Sequence, residues 1–129
     1  MRKWKKMTDK EIFVEKLRKR TKKFAVDVIV FCNSLKRSRS ASVVEYQLVK
    51  CATSVGANYR SACRARSKPE FFSKICIVVE EADETEYWLN IIEEARMSED
   101  QEELTRLKTE ANEIIRIMTK AKDSTYPTK

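Results

Sequence analysis

The scarcity of glycine and proline restricts this chain to long, uninterrupted helices. Its 129 residues include one glycine and two prolines. Tight turns and strand corners depend on these two residue types, so a β-rich fold of this length would need many more of them. With 42% hydrophobic and 36% charged residues, the composition is typical of amphipathic helices and not of a disordered chain. The composition therefore predicts a single all-α domain.

Apolar residues recur at alternating steps of three and four along four segments, and these segments are the predicted helices. They span about residues 8–35, 41–66, 69–97 and 99–122. Thr8 and Glu11 have capping-box spacing at the start of the first helix, and Ser67 is a candidate N-cap for the third. Such steps and short connections predict an antiparallel up-down-up-down four-helix bundle. We expect a basic arm over 1–7 before it and a disordered tail over 123–129 after it.

The third predicted helix carries more apolar surface than one bundle core needs. Beside its core-facing seam it has two further apolar stripes. An exposed patch of that size is a liability unless something covers it. We therefore interpret part of it as a subunit interface, and a thick central helix is the alternative. The residues assigned to this interface are Phe72, Cys76, Val79 and Trp88.

Charge is divided unevenly between the two halves of the chain. Residues 1–68 hold 19 Lys and Arg against 5 Asp and Glu, a net of +14, whereas 69–129 hold 8 against 15, a net of −7. Folding does not require such asymmetry, which points instead to partners. The basic half indicates a polyanion such as nucleic acid, and a solvated face is the simpler alternative for any one cluster. The candidate phosphate-binding residues are Arg18, Lys19, Lys22, Lys23, Arg37, Arg39, Arg60, Arg64, Arg66 and Lys68.

Residue types needed for common enzyme chemistry are missing. The absence of histidine removes the usual general base and the Glu-x-x-His pairs of di-iron bundles. One glycine is too few for a phosphate-binding loop. We expect no catalytic residue, cofactor, metal or small-molecule substrate. A carboxylate-only Mg²⁺ or Ca²⁺ site in the acidic run 80–86 stays open, but ion pairs with a neighbouring helix or subunit are the favoured interpretation.

The sequence also lacks membrane and secretion signals. No apolar stretch approaches the roughly 20 residues that a bilayer requires, and no signal peptide is recognisable. The four cysteines have no C-x-x-C spacing and are interpreted as reduced, mostly buried thiols. We therefore expect a cytoplasmic protein with no membrane contact.

Three motifs resemble a known protein family. They are Ser-Val-Gly-Ala-Asn-Tyr-Arg-Ser-Ala at 54–62, Arg-Ser-Lys-Pro-Glu-Phe at 66–71 and Glu-Glu-Ala-Asp-Glu-Thr-Glu-Tyr-Trp-Leu at 80–89. They resemble the four-helix-bundle family encoded in intervening sequences of bacterial 23S rRNA genes, which is related to accessory proteins of diversity-generating retroelements. The resemblance implies a homopentamer, with no established activity for most members. The basic retroelement relatives bind nucleic acid and a reverse transcriptase.

Ser54 and Asn58 match the Ser-x-x-x-Asn core of that family. Asn58 falls in the apolar seam predicted for the second helix, where a buried amide must find hydrogen-bond partners. We interpret Asn58 as a structural residue that fixes helix register or bonds a nearby backbone carbonyl, and a binding role is the alternative. Where many members continue with Ala-Glu-Gly, this chain has Arg-Ser-Ala at 60–62. The change adds positive charge and removes a carboxylate.

Together these features predict a non-enzymatic homo-oligomer that binds nucleic acid, RNA more than DNA, through the basic surface of its first two helices. The acidic half would then face the basic half of an adjacent copy. The alternative is an interaction scaffold whose partner is a protein, such as a reverse transcriptase or a ribosomal component.

Overall fold

A computed structural model describes residues 6–125, which form four α-helices packed as an antiparallel bundle. Within this range there is no β-strand, only one isolated bridge between Leu35 and Ser98. The prediction of an all-α four-helix bundle is confirmed. The helices are α1 (Asp9–Phe31), α2 (Arg39–Cys63), α3 (Lys68–Glu94) and α4 (Gln101–Ser124), with a 3₁₀ turn at Cys32–Ser34 after α1.

Each helix begins at a side chain that caps a free backbone N–H group. The Glu11 N–H donates to Thr8 Oγ1 at 3.1 Å, and the Thr8 N–H donates to the Glu11 carboxylate at 3.3 Å, which completes the predicted capping box. Ser38, Ser67 and Asp100 accept the corresponding hydrogen bond at the other three helices. A cap of this kind stabilises a helix by about 1 kcal/mol.

Helix boundaries differ from those expected at both bundle ends. The first helix ends at Phe31 rather than at 35, because the chain tightens into the 3₁₀ turn. The second begins at Arg39, two residues early, because Ser38 is its cap. The third ends at Glu94 rather than at 97, and two residues later Arg96 takes a left-handed backbone conformation with φ 54°.

The fourth helix is shifted toward the C-terminus. It begins at Gln101 rather than at 99, because Asp100 caps it. It continues to Ser124, so the first two residues of the segment 123–129, expected to be disordered, are helical. Residues 1–5 of the expected basic arm and residues 126–129 of the expected tail lie outside the described residues.

The predicted seams form the core, but in α2 the buried residue after Val55 is Tyr59 and not Asn58. Val55 is fully buried there, and the next core position belongs to Tyr59, which is 4% exposed. Asn58, placed in the seam by the sequence pattern, is only half-buried. A step of four from Val55 keeps Tyr59 on the core side of the helix, whereas a step of three turns Asn58 away from its centre.

The single glycine lies at a close approach of α1 and α2. A Cβ atom at Gly56 would lie 3.3 Å from the backbone oxygen of Thr21. Thr21 is itself buried, and its hydroxyl donates to the carbonyl oxygens of Leu17 and Arg18 at 3.0 and 3.1 Å. Because nothing but a hydrogen atom occupies the Gly56 side, the two helix backbones meet at this level.

The α1–α2 and α3–α4 connections are tied together at one end of the bundle. The Ser34 and Ser98 hydroxyls are 2.7 Å apart, and the Lys36 N–H donates to the Met97 carbonyl oxygen at 2.8 Å. The α2–α3 connection lies at the opposite end. Among the described residues no helix is long and apolar enough to cross a membrane.

Candidate nucleic-acid interface

A groove between α1 and α2 gathers four of the predicted phosphate-binding residues. Its volume is about 470 Å³. The N-terminal half of α1 contributes three of the cations, and α2 contributes the fourth. We name this feature the basic groove, and its cations are Arg18, Lys19, Lys22 and Arg60.

Small residues between the cations leave the groove open. Ala25, Gly56 and Ala57 line it, and Thr53 is the only longer neutral side chain. Sequence reasoning did not assign these residues to a site. The lone glycine could have identified them, because a glycine inside a helix costs about 1 kcal/mol relative to alanine and therefore needs a structural reason. At Gly56 the close approach of the two helices offsets that cost.

Most of the positive charge in the groove is unpaired within the subunit. Arg18 lies 3.5 Å from the Glu15 carboxylate, an ion pair between two partly exposed side chains. Lys19, Lys22 and Arg60 are exposed and form no ion pair with any residue in 6–125. The basic groove therefore presents a net positive surface to solvent.

Two protonatable groups beside the groove remain neutral near pH 7. Burial raises the pKa of the Tyr59 hydroxyl, and the neighbouring Cys63 thiol reinforces the shift. Burial likewise raises the pKa of the Cys63 thiol, against the opposing effects of Tyr59 and Arg18. The charge of the basic groove is therefore set by its Arg, Lys and Glu side chains alone.

The remaining predicted cations lie outside this groove. Lys23 binds Asp27 at 2.8 Å on the side of α1 that faces α4, since Asp27 also binds Arg106 of α4 at 2.9 Å. Arg37 and Arg39 line a second recess at the α1–α2 connection. Arg64, Arg66 and Lys68 are exposed at the α2–α3 connection, at the other end of the bundle.

The ten predicted residues therefore do not gather at one site. From Arg18 to the end of α1 the helix rises about 20 Å, which separates the basic groove from the recess around Arg37. The groove cations and the three cations of the α2–α3 connection lie toward one end of the bundle, and Arg37 and Arg39 lie at the other. Lys23 belongs to the α1–α4 contact.

The family-motif residues bond to each other. The Asn58 Nδ2 group donates to the Ser54 backbone oxygen at 2.9 Å and to the Ser54 hydroxyl at 2.7 Å. Both residues are half-buried. The geometry matches the expected bond to a nearby backbone carbonyl, which satisfies the amide where it would otherwise cost free energy.

The four predicted interface residues are half-buried. Val79 and Trp88 are half-buried and pack against the core, and the Trp88 indole N–H donates to the Glu84 carboxylate at 3.4 Å. Phe72 and Cys76 are also half-buried. Their role in an interface stays a prediction. The large apolar side chains with the greatest exposure lie elsewhere: Met7, Ile12, Phe13, Val26, Ile29, Val30, Val43, Tyr46 and Tyr87.

Within residues 6–125, the acidic run on α3 forms no direct ion pair with the helices around it, although the charge of Lys50 on α2 acts on Glu81. No residue from 80 to 86 forms an ion pair with a Lys or Arg in the described part of the chain. Burial and the nearby Glu84 charge raise the pKa of the Glu81 carboxyl. Residues 6–125 contain no group of three or more acidic or thiol side chains arranged to hold a metal ion.

Comparison with known proteins places the chain in a family. The sequence model of the 23S rRNA-intervening sequence proteins matches residues 15–120. The chain belongs to this family. The match includes Ser54 and Asn58 and all four cations of the basic groove, so the resemblance noted in the sequence is confirmed. The relation to retroelement accessory proteins stays a prediction.

A solved structure shows the same fold. It is a protein of unknown function from the S23 ribosomal protein family of Bacteroides thetaiotaomicron, 28% identical to this chain. The TM-score is 0.72, and the alignment covers 82% of this chain and 97% of the other. No curated protein has a significantly similar sequence. The comparisons therefore establish the family and the fold of the 23S rRNA-intervening sequence proteins for this chain, without assigning an activity.

Proposed function

We propose that this chain is a non-enzymatic, cytoplasmic protein that binds nucleic acid through the basic groove, RNA more strongly than DNA, and does so as a homo-oligomer. The observation that carries the proposal is the convergence of four cations on one groove, three of them unpaired within the described residues. Charged side chains that only keep a protein in solution would not need to converge on one groove.

The groove suits a phosphate backbone for two physical reasons. Arg18 and Lys22 are one helical turn apart, so their charges follow the helix axis at a spacing of about 6 Å, and Arg60 faces them from α2. Each phosphate neutralised releases condensed counterions, which drives binding without sequence preference. The preference for RNA is supported by the family's name, which connects its members with 23S rRNA genes.

The test is a salt-dependent binding measurement with a matched pair of double variants. Labelled RNA and DNA of the same sequence are titrated with protein and followed by fluorescence anisotropy at several salt concentrations. Lys22→Gln/Arg60→Gln removes two charges from the groove. Arg116→Gln/Lys120→Gln removes two exposed charges from α4 that form no ion pair within residues 6–125, and serves as the control.

We expect the groove variant to weaken binding and to reduce the slope of log affinity against log salt by about 1.4 to 1.8, two phosphate contacts' worth. The α4 control should keep the wild-type slope. Equal losses in the two variants would mean that net charge matters and the groove does not. No binding at low salt by the wild type would reject the nucleic-acid function.

Self-association is the second part of the proposal, with the pentamer that the family resemblance implies. It is supported by the unpaired acidic run on α3 and by exposed apolar side chains such as Val30, at 60%, and Val43, at 58%. We expect the acidic face of one copy to lie against the basic half of the next, which is a head-to-tail contact able to close a ring. Light scattering after gel filtration measures the mass, and a mass that falls at high salt supports the charged contact.

The same exposed side chains favour the alternative, a scaffold that binds another protein. A wild type that assembles but binds neither RNA nor DNA would favour that function. The basic half would then be a docking surface for an acidic protein.

A further inference from the structure

One face of α2 carries an exposed tyrosine between two arginines. Arg39, Tyr46, Thr53 and Arg60 follow one another at intervals of seven residues, which is close to two helical turns, or about 10.5 Å. Residues at this spacing share a face, and Arg60 opens into the basic groove. The face therefore extends the groove along α2 to the recess that Arg39 helps to line.

Tyr46 is 65% exposed, more than any other large hydrophobic side chain in the described part of the chain. It lies on a shallow recess with Val49 and two opposite charges, the carboxylate of Glu45 and the ammonium of Lys50. An aromatic ring held on a rigid helix keeps its face open to solvent at little cost in conformational freedom. It needs a flat, partly apolar partner to cover it.

We propose that Tyr46 is a stacking platform for an unpaired base of single-stranded nucleic acid, whose backbone runs along α2 between Arg60 and Arg39. This inference rests on the proposed function of the basic groove. Phosphates contact the arginines at the two ends of the face, and the base near Lys50 turns inward onto the ring.

An exposed aromatic ring between cations should favour a single strand over a duplex. In a double helix the base faces are covered by their neighbours, and a protein reaches backbone and groove edges only. In a single strand a base can leave its stack and lie on an aromatic side chain, an interaction that tolerates any base. A face with cations alone would not distinguish the two forms, and Tyr46 supplies the difference.

Tyr87 is a comparably exposed tyrosine in acidic surroundings. It is 55% exposed on α3, and its ring lies edge-to-face with Trp88 at 5.1 Å. The exposed residues one turn before it are Asp83 and Glu84, which repel phosphate. The two tyrosines thus have similar exposure, but Tyr46 shares its recess with Lys50 as well as Glu45, whereas Tyr87 follows two carboxylates. Tyr87 therefore provides the matched control.

The experiment compares Tyr46→Ala, Tyr46→Phe and Tyr87→Ala in the intact protein, with a labelled single-stranded RNA and the corresponding duplex. Tyr46→Ala should weaken single-strand binding by about 5-fold to 100-fold, the range for one lost base–aromatic stack. Duplex affinity should not change. The salt slope should also hold, because tyrosine carries no charge to exchange for counterions. Tyr46→Phe and Tyr87→Ala should bind as the wild type does.

Each other outcome decides against the inference in a recognisable way. Wild-type single-strand affinity in Tyr46→Ala, while Lys22→Gln/Arg60→Gln binds weakly, would reject the stacking role and leave the proposed function standing. Equal losses on single strand and duplex would make Tyr46 a general support of the surface. Loss of oligomer mass in Tyr46→Ala, measured by light scattering, would assign Tyr46 to a subunit contact. Failure of the wild type to bind RNA would reject both proposals together.

Discussion

The two sides of α1 carry similar positive charges, but the charges on one side are paired with carboxylates and those on the other are mostly unpaired within the described residues. On the side facing α4, Arg20 binds Glu110 at 2.6 Å and Glu113 at 2.9 Å, and Asp27 binds both Lys23 and Arg106. On the side facing α2, Lys19 and Lys22 have no acidic partner within residues 6–125. One side uses its charges to hold two helices together, and the other leaves them available.

The difference arises from helical phase and not from composition. Five of the six residues from 18 to 23 are Lys or Arg, so the segment is uniform when read as a string. Successive residues are 100° apart around the helix, which divides the cations between neighbours. The carboxylates that Arg20 meets are on α4, roughly 90 positions further along the chain, whereas Lys23 meets Asp27 one turn further along α1. Binding and stability should therefore respond to different substitutions on α1.

The largest effect is expected from reversing charge on the open side. Lys22→Glu/Arg60→Glu should lower RNA affinity on the order of 100-fold at low salt, because two phosphate contacts become repulsive. The same reversal on α4, Arg116→Glu/Lys120→Glu, changes net charge equally and should have a far smaller effect. Anisotropy titrations measure both. If the α4 variant loses as much affinity, the distinction between the surfaces fails.

The close approach of α1 and α2 gives the next largest effect, on stability. Gly56→Val should cost about 1–3 kcal/mol, the range for overpacking a contact that has no space, because even a Cβ atom lies 3.3 Å from the Thr21 backbone oxygen. Ala57→Val, at an exposed neighbouring position, should cost less than about 0.7 kcal/mol through helix propensity. Urea unfolding followed by circular dichroism measures the difference. Equal costs would show that the helices separate freely at Gly56.

The fold could be predicted from the sequence because its determinants are local. The steps of three and four that include Leu17 and Phe24 in α1 and Leu104 and Leu107 in α4 place these residues in the core, where all are buried. The capping box at Thr8 needs only residues three apart. Boundaries were less accurate, since Ser98 and Asp100 are both suitable N-cap residues by type, and the structure uses Asp100 while Ser98 bridges to Leu35.

The site could be predicted only in part, because its limits depend on contacts distant in sequence. The sequence shows that Arg18 and Lys22 share a helix face, because they are four residues apart. That Arg60 lies opposite them depends on how α1 packs against α2. That Lys23 is outside the groove depends on its contact with Asp27, which also binds Arg106. Nothing within 18–23 distinguishes Lys22 from Lys23 except phase relative to a core that the structure defines.

A smaller effect on stability separates the two sides of α1. Arg20→Gln should destabilise the fold by about 1 kcal/mol, because it removes a bidentate charged hydrogen bond that solvent partly screens. Lys22→Gln should stay within about 0.5 kcal/mol of the wild type, as surface substitutions do. The binding effects should be reversed, with Lys22→Gln weakening RNA binding and Arg20→Gln leaving it unchanged. Chemical denaturation and anisotropy on the same two proteins measure both.

Similar behaviour of these two variants in both assays would contradict the division of α1 into a structural and a binding side. Loss of RNA binding in Arg20→Gln would extend the interface toward α4. A stability loss in Lys22→Gln would indicate a contact that the unpaired lysine does not have in the isolated subunit, as in an oligomer. Measuring the mass of each variant distinguishes these results.

The smallest effect should appear in the acid dependence of stability. The hydrogen bond from Arg20, and then its charge, lowers the pKa of Glu110, whereas burial opposes the shift. A carboxylate with a lowered folded pKa stabilises the fold above its unfolded pKa, near 4.5, and that contribution is lost as pH falls through the folded value. The wild type should therefore lose stability below about pH 4.5 more steeply than Arg20→Gln.

Glu81 on the acidic face should act in the opposite direction. Burial and Glu84 raise its pKa, so its charged form opposes folding near neutral pH and protonation relieves that cost as pH falls. Glu81→Gln should therefore raise stability at pH 7 and have little effect once the wild-type carboxyl is protonated, which denaturation at both pH values measures. If Glu81→Gln instead destabilises the protein at pH 7, the carboxylate has a cationic partner. That partner is Lys50 of the same chain, whose charge already acts on Glu81, unless the loss persists in a Lys50→Gln background. A loss that persists there means that an adjacent copy supplies the cation, as the head-to-tail contact requires.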